Sequence, residues 1–193
     1  MRKFIFILIF LLGLKVFAQT SLEPREYAIY SEVLNQWYSG SGCNMVIRKN
    51  TGVVLPPAVL EKQLRGVKNK LPQVKEETLL DFKAKNVHSY NLDDFFHLDK
   101  GYEITIVPQK MIDEIFKEGD WEEFYEEYPA SRGIITFSRV GFDANREQAL
   151  VQVSSQWEHS TGSSLYILFR FKNSLWKPEG SFRIWNSWVT DGI

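Results

Sequence analysis

Residues 137–157 read FSRVGFDANREQALVQVSSQW, and this stretch decides the predicted fold. Two runs of strand-forming residues flank a polar corner that holds Gly141, Asp143 and Asn145. β-Branched and aromatic residues bounded by glycine, aspartate and asparagine are typical of two strands joined by a turn. The corner favours a turn because glycine and asparagine tolerate left-handed backbone geometry and an aspartate can bond its own backbone. The stretch therefore predicts a β-hairpin.

The same corner resembles the start of a calcium-binding loop, since Asp143, Asn145 and Glu147 stand at alternate positions. Such a loop needs glycine at its sixth position and glutamate at its twelfth. Here those positions hold Gln148 and Ser154. The sequence thus favours the turn over the calcium site, and we predict no metal there.

From residue 133 onward the residue pattern has a period of two, which predicts four sequential strands that pair antiparallel. The candidates are IITFSRV (134–140), ALVQVSSQW (149–157), SSLYILFRF (163–171) and SFRIWNSW (181–188). Asn173-Ser174 is suited to a tight hairpin corner. One face of the third strand is apolar, whereas the other mixes Tyr166 and Leu168 with basic residues. We expect the mixed face to meet solvent or to form a ligand floor.

Helical spacing of apolar residues dominates the first two thirds of the chain. It predicts helices over 20–38, 57–71, 75–86, 108–119 and 120–129, with strands around 45–48 and 102–107. Thr20 and Glu23 have the spacing of a capping box for the first helix. We therefore predict an α+β fold, with N-terminal helices packed on a C-terminal antiparallel meander of four or more strands. A curved sheet wrapped on helices, as in cystatin-like or NTF2-like proteins, is one candidate architecture.

The chain opens with MRKFIFILIFLLGLKVFAQT, which has the three parts of a secretory signal peptide. Arg2 and Lys3 precede an apolar run that is too short for a permanent membrane helix, which needs about 20 residues. Val16 and Ala18 suit the −3 and −1 positions of a cleavage site. We expect a leader over 1–18, a single domain over 19–193, and a periplasmic or extracellular location.

Charge and cysteine content exclude several kinds of partner and site. Three of the 23 basic residues lie in the leader, so the 24 acidic residues outnumber those left in the mature chain. A mildly acidic chain without basic clusters does not favour nucleic acid. The single cysteine, Cys43, cannot form an internal disulfide. No second long apolar run follows the leader, so the mature chain is not expected to span a membrane.

No catalytic or cofactor motif is present, and the three histidines lack paired metal-ligand spacing. The best candidate for a site is QWEHSTGSS (156–164), which looks longer than the link between two strands needs. An exposed variable loop explains the same residues. Trp157 and His159 in this stretch, together with Arg139 and Trp185, are the predicted binding residues.

A set of segments resembles a family of uncharacterised bacterial secreted proteins and lipoproteins. The segments are YAIYSEVLN, ETLLDFKAKN, YPASRGIITFSRVGFDANREQALVQV and LFRFKNSLWKPEGSFRIWNSW. The resemblance covers most of the mature chain and is densest over 128–188. It implies an exported single domain that ends in an antiparallel meander, and it implies no catalytic residue. Relatives often carry a cysteine in the loop where this chain has QWEHSTGSS.

The leading functional hypothesis is an exported, non-catalytic binding module without a cofactor, for a glycan, a cell-envelope component or a protein. One alternative is a hydrolase of envelope or extracellular polymer. It would need Glu158 or His159 near a second titratable group in a cleft. A purely structural or inhibitory role with a protein partner is the other alternative.

Overall fold

The computed structural model describes residues 22–38, 44–52, 55–99, 102–159 and 161–187. The predicted leader and Cys43 lie outside these ranges. Within them the chain forms five helices and seven strands. In chain order these are α1 (Pro24–Trp37), β1 (Asn44–Arg48), α2 (Pro57–Lys70), α3 (Glu76–Lys85), β2 (Ile104–Val107), α4 (Gln109–Glu118), α5 (Trp121–Glu127), β3 (Ser131–Phe137), β4 (Gly141–Phe142), β5 (Gln148–Gln156), β6 (Gly162–Lys172) and β7 (Leu175–Ser187).

All seven strands join one mixed sheet in the order β2-β1-β3-β5-β6-β7, with β4 paired to β5. The predicted α+β class is confirmed. The prediction of a purely antiparallel sheet is wrong, because β1 runs parallel to both β2 and β3. Parallel strands need long crossovers, and α4 and α5 occupy the crossover between β2 and β3. The helices therefore do not all precede the sheet.

The predicted meander forms the other half of the sheet, where β3, β5, β6 and β7 pair antiparallel in sequence. Lys172 pairs with Leu175 across a two-residue corner. Asn173 and Ser174 both adopt positive φ angles, 52° and 62°. Two left-handed residues in succession form the turn whose twist matches paired strands. This confirms the tight corner predicted at Asn173-Ser174.

Helices cover both faces of the sheet. On the first face, α1 packs on residues such as Phe137, Ile167 and Phe169. On the second face, apolar residues of α2 and α3 pack on β5 and β6, and α4 and α5 pack on β1 and β3. Tyr166 and Leu168 are fully buried there. The prediction that this face meets solvent or a ligand is therefore wrong, because its large apolar side chains are covered by α2 and α3.

A buried ion pair fixes α1 to the sheet. Arg139 follows β3 and is 1% exposed, and Glu26 of α1 is 0% exposed. The Arg139 Nη2 donates to Glu26 Oε1 at 2.6 Å, and its Nε donates to both carboxylate oxygens at 3.0 and 3.1 Å. The Tyr90 ring lies 4.5 Å from the guanidinium. Burial would lower the pKa of Arg139, but the hydrogen bonds and charge of Glu26 raise it.

The Glu26 carboxylate also organises the backbone on both sides of the pair. It accepts the Val140 N–H at 2.9 Å and the Tyr30 hydroxyl at 3.3 Å. At the start of α1 it accepts the Glu23 N–H at 3.2 Å. The helix is therefore capped at Glu23 and begins at Pro24. Thr20 of the predicted Thr20–Glu23 capping pair lies outside the described residues, and the capping box that the structure shows is Glu23–Glu26.

We expect Glu26→Gln to lower the free energy of unfolding by about 3–5 kcal/mol, because it leaves the Arg139 cation buried without its counter-charge. The double variant Glu26→Met/Arg139→Met should lose less than the sum of its single variants, since no lone charge remains. Urea unfolding measures both effects.

The matched control is Glu61→Gln, which breaks an ion pair to Lys83 at 2.6 Å whose side chains are 49% and 41% exposed. Loss of an exposed pair costs about 0–1 kcal/mol. A Glu26→Gln variant no less stable than Glu61→Gln would contradict the role assigned to the buried pair.

Candidate functional site

A row of side chains on α1 holds the irregular segment 88–99 against the helix. Tyr27, Ser31 and Asn35 recur every four residues, so they lie on one face of α1. The Tyr27 hydroxyl accepts the Asp93 N–H at 2.7 Å, and Ser31 Oγ accepts the His97 N–H at 2.9 Å. Irregular backbone needs partners for its N–H groups, and this row of α1 side chains supplies them.

The third side chain of the row bonds the segment twice. Asn35 Oδ1 accepts the Asp99 N–H at 3.1 Å, and Asn35 Nδ2 donates to the His97 carbonyl at 3.3 Å. Ser31 Oγ also donates to the Tyr27 carbonyl at 2.7 Å. Four hydrogen bonds from this row therefore fix the segment to the helix.

A groove of about 570 Å³ lies between α1 and this segment. We call it the α1 groove. This volume lies within the range of small-molecule sites. Its wall is formed by the row described above and by residues of both elements: Leu22, Pro24, Tyr27, Ala28, Ser31, Glu32, Asn35, Phe95, His97 and Asp99. No pattern in the sequence predicts this groove.

Phe95 stands at the rim of the groove with 61% of its surface exposed, while Phe96 beside it packs against the core. The Phe95 ring meets the Tyr27 ring edge to face, with centroids 5.4 Å apart. The His97 Nδ1 lies 3.0 Å from the Phe95 carbonyl oxygen. A carbonyl oxygen only accepts hydrogen bonds, so this contact places a proton on Nδ1.

The predicted site residue Arg139 lies in the core, paired with Glu26 as described above. The other three predicted residues, Trp157, His159 and Trp185, lie at one end of the sheet. Trp157 and His159 belong to the link between β5 and β6, and Trp185 of β7 pairs with Ser164 near the start of β6. The structure thus separates Arg139 from the other three.

The loop between β5 and β6 is shorter than the sequence suggested. Gln156 pairs with Gly162, so only residues 157–161 form the link, an ordinary length for a hairpin loop. The Trp157 N–H donates to the Thr161 carbonyl at 3.1 Å, and its carbonyl accepts the Tyr125 hydroxyl at 2.7 Å. Glu158 and His159 are exposed. The link of five residues therefore has no surplus length, and the prediction of an overlong loop is wrong.

The polar corner that holds Asp143 and Asn145 is a hairpin, as predicted, and it joins β4 to β5. The Asp143 carboxylate is buried and accepts the N–H groups of Glu147 and Gln148 at 2.7 Å, and it pairs with Lys75. The left-handed residue is Arg146, with φ 57°, and not Gly141 or Asn145 as expected. Gly141 is required for space, because a Cβ there would lie 2.5 Å from the backbone of Phe82.

A charged cavity of about 440 Å³ adjoins this corner, between the corner and α3. Lys85 Nζ lies 3.2 Å from Glu23 and 2.9 Å from Asp81, and Arg146 also pairs with Glu23. These charges neutralise one another. The corner and its cavity therefore clamp α3 and the start of α1 to the hairpin.

No group of three or more metal-ligating side chains is placed to hold a metal ion among the residues that the structure describes. No helix within the described ranges is long and apolar enough to cross a membrane.

No protein-family model matches this chain, and comparisons with curated proteins and with solved structures found no match. The resemblance to uncharacterised bacterial secreted proteins and lipoproteins therefore remains a prediction that rests on the quoted segments alone.

We expect Asp143→Asn to destabilise the protein at pH 7 and to flatten its acid response. Burial would raise the pKa of Asp143, but hydrogen bonds from Lys75, Gln148 and Glu147 hold it below its usual range. A carboxyl whose pKa is lowered by folding stabilises the native state above its unfolded pKa of about 3.9. That contribution is lost as the pH falls through the folded pKa.

The difference in unfolding free energy between wild type and Asp143→Asn should therefore shrink as the pH falls from about 5 to about 2. Urea unfolding at a series of pH values measures it, with the exposed Asp94→Asn as the matched control. A difference that stays constant over this range would show that Asp143 does not contribute through its charge.

Proposed function

We propose that this chain is an exported, non-catalytic binding module that holds a small ligand in the α1 groove. One observation carries the proposal: a concave site of about 570 Å³ has walls fixed by the row of side chains on α1. A site with a pre-ordered backbone binds without the entropy cost of ordering its walls. The exposed Phe95 at its rim supplies apolar surface for a ligand to cover.

The proposal of export rests on the leader-like segment over 1–18, and the resemblance to secreted proteins agrees with it. A glycan or another cell-envelope component is the ligand class that suits an exported protein of this kind. Phe95, His97 and Asp99 would then meet the ligand. Trp157, His159 and Trp185, the surface residues predicted from sequence, serve as a second region to be tested.

The hydrolase alternative required Glu158 or His159 in a cleft beside another titratable group. Both side chains are exposed, and neither lines the α1 groove or the charged cavity. The Glu158 carboxylate contacts Thr161 at 3.3 Å. No observation favours a hydrolase at this loop, so we propose the binding module alone.

We expect a thermal-shift screen of residues 19–193 against divalent metals, peptidoglycan fragments and glycans to find a ligand that raises Tm. The variant Ala28→Trp should abolish that rise in Tm. Ala28 is exposed and lines the groove, so tryptophan would fill it without entering the core. A ligand at 100 times its Kd adds about 2.7 kcal/mol, which shifts Tm by several degrees.

Two control variants locate the binding. Ala84→Trp places the same side chain on an exposed position of α3, and Trp185→Ala removes the exposed aromatic at the end of the sheet. Both should keep the shift. A ligand whose shift survives Ala28→Trp but is lost in Trp185→Ala would move the site to the Trp157–Trp185 end and overturn the groove proposal.

We expect the full chain, expressed in a bacterial host, to be recovered as a species whose intact mass is that of a chain beginning at Gln19. The measurement is intact mass spectrometry of the envelope and medium fractions. Leu8→Arg places a charge in the apolar run of the leader and should trap the uncleaved chain inside the cell. An uncleaved wild-type chain in the same fraction as Leu8→Arg would contradict export.

A further inference from the structure

We infer that the corner between β6 and β7 inserts into the surface of an anionic lipid bilayer. We call residues 171–176, which form this corner and the last residue pairs of the two strands, the hairpin tip. The hairpin tip is separate from the α1 groove, and its role does not depend on the proposed function. Its shape, its exposed apolar side chains and the lysines beside them all favour a lipid surface.

The hairpin tip projects beyond the neighbouring strand. The pairing of β5 with β6 ends where Gln148 faces Arg170. β6 and β7 remain paired for two further positions, up to Lys172 and Leu175. β7 is the last strand of the sheet, so no other strand of the described chain flanks it on its outer side. The hairpin tip is therefore convex, whereas small-molecule sites are concave.

Contacts at its base hold the hairpin tip in place. The Phe171 N–H donates to the Glu147 carbonyl at 2.7 Å. The Phe171 ring lies 5.1 Å from the ring of Trp176, which is 9% exposed and lies 5.9 Å from the ring of Phe142. A projection that is already ordered loses little conformational entropy when it docks.

Two large apolar side chains of the hairpin tip face solvent. Phe171 is 41% exposed and Leu175 is 55% exposed. Phe171 pairs with Trp176, and Leu175 pairs with Lys172. Because successive residues of a strand point to opposite faces, each face of the hairpin carries one of the exposed apolar side chains. Apolar side chains grouped at a projection, unlike single exposed ones, mark a contact with a membrane or a protein.

Two unpaired cations accompany these apolar side chains. Lys172 and Lys177 are exposed, and neither forms an ion pair with a residue that the structure describes. The nearby Glu179 pairs with Arg170 at 3.1 Å. The exposed Glu147 of the adjoining corner carries the opposite charge, which leaves the two lysines in excess. A long lysine stem lets the ammonium reach lipid headgroups while apolar neighbours enter more deeply.

A lipid surface fits the hairpin tip better than a second protein does. A stable protein interface buries about 800 Å² on each partner. A large aromatic side chain contributes about 150–250 Å², so Phe171 and Leu175 together fall short of that area. A lipid surface has no such requirement, because shallow insertion of a few apolar side chains combines with the attraction of lysines to anionic headgroups.

The end of the sequence cannot cover the hairpin tip. Ser187, the last described residue, lies at the opposite end of the 13-residue strand β7. At about 3.3 Å per residue, Ser187 is roughly 35–40 Å from Leu175. Residues 188–193 span at most about 22 Å when fully extended. The hairpin tip therefore stays free of this segment.

Vesicle binding tests the inference. Residues 19–193 are mixed with vesicles of phosphatidylglycerol and phosphatidylcholine in equal parts, or of phosphatidylcholine alone, and the bound fraction is measured by co-sedimentation. We expect at least about tenfold stronger binding to the mixed vesicles, because the two lysines contribute only where the lipid is anionic. Binding should weaken as salt is raised. Lipids with brominated chains should quench part of the tryptophan fluorescence, and Trp176→Phe should remove that quenching.

Variants assign the contacts. Leu175→Ser should weaken binding to the mixed vesicles about tenfold. Lys172→Gln and Lys177→Gln should each weaken it about fivefold. The matched controls are Leu80→Ser, at a leucine of α3 that is 57% exposed, and Lys62→Gln, at an exposed lysine of α2. Both controls should leave binding unchanged, and thermal unfolding confirms that each variant is folded.

Three outcomes would overturn the inference. Equal binding to the two kinds of vesicle, or no binding to either, would show that the lysines do not recognise an anionic surface. Binding that Leu80→Ser weakens as much as Leu175→Ser does would show that the hairpin tip is not the part that inserts. A dimer that forms without lipid and is lost in Leu175→Ser would assign the hairpin tip to a second copy of the chain.

The same variants separate this inference from the proposed function. Ala28→Trp fills the α1 groove and should leave vesicle binding unchanged. Leu175→Ser should in turn leave unchanged the rise in Tm that a groove ligand causes. Either site can therefore fail its test while the other passes.

Discussion

The ion pair between Glu26 and Arg139 is the constraint on which the arrangement of this fold depends. A buried charge is tolerated only when its partner and its hydrogen bonds are in place. The carboxylate of Glu26 meets Arg139, the Val140 N–H and the Tyr30 hydroxyl together. That requirement fixes both the position of α1 along the sheet and its rotation about its own axis. An apolar contact at this place would allow the helix to slide.

The orientation of α1 then determines the α1 groove. With Glu26 turned to Arg139, the face that carries Tyr27, Ser31 and Asn35 turns to the segment 88–99. Asn86, at the end of α3, strengthens the link, because its side chain bonds both the N–H and the carbonyl of Arg139, at 2.8 and 3.1 Å. The groove is thus built by polar contacts that are specific in direction, on a core that is apolar and less specific.

The sequence predicts best where structure is local. The meander followed from alternation, and the corner at Asn173-Ser174 followed from turn chemistry. The parallel pairing of β1 with β2 and β3 was not predictable in this way. The residue pattern of a short strand does not show which distant strand it pairs with. Tyr166 and Leu168 could have indicated that this face of the sheet is buried, because two large side chains with apolar surface on one face are usually covered by other elements.

The candidate site was less predictable than the fold. Arg139 was predicted as a binding residue, because nothing in the local pattern reveals its partner Glu26, which is 113 positions away. Tyr27, Ser31 and Asn35 show the i, i+4 spacing of a helix face, but their role depends on a segment more than 60 residues further along. Spacing reveals which side chains share a face. It does not reveal which distant backbone will need them.

The distance of α1 from its partners in the sequence also sets an order of events for the nascent chain. α1 is the first helix that the structure describes, yet the residues that hold it, Arg139 and Val140, come more than a hundred residues later. A chain that emerges with its N-terminus first must carry α1 without its counter-charge until most of the domain has been made. The ion pair of α1 cannot form until Arg139 has been made, whereas a local element such as the β6–β7 hairpin needs only residues close to it in the sequence. The first helix that the structure describes is therefore secured only after the chain has been made past Val140.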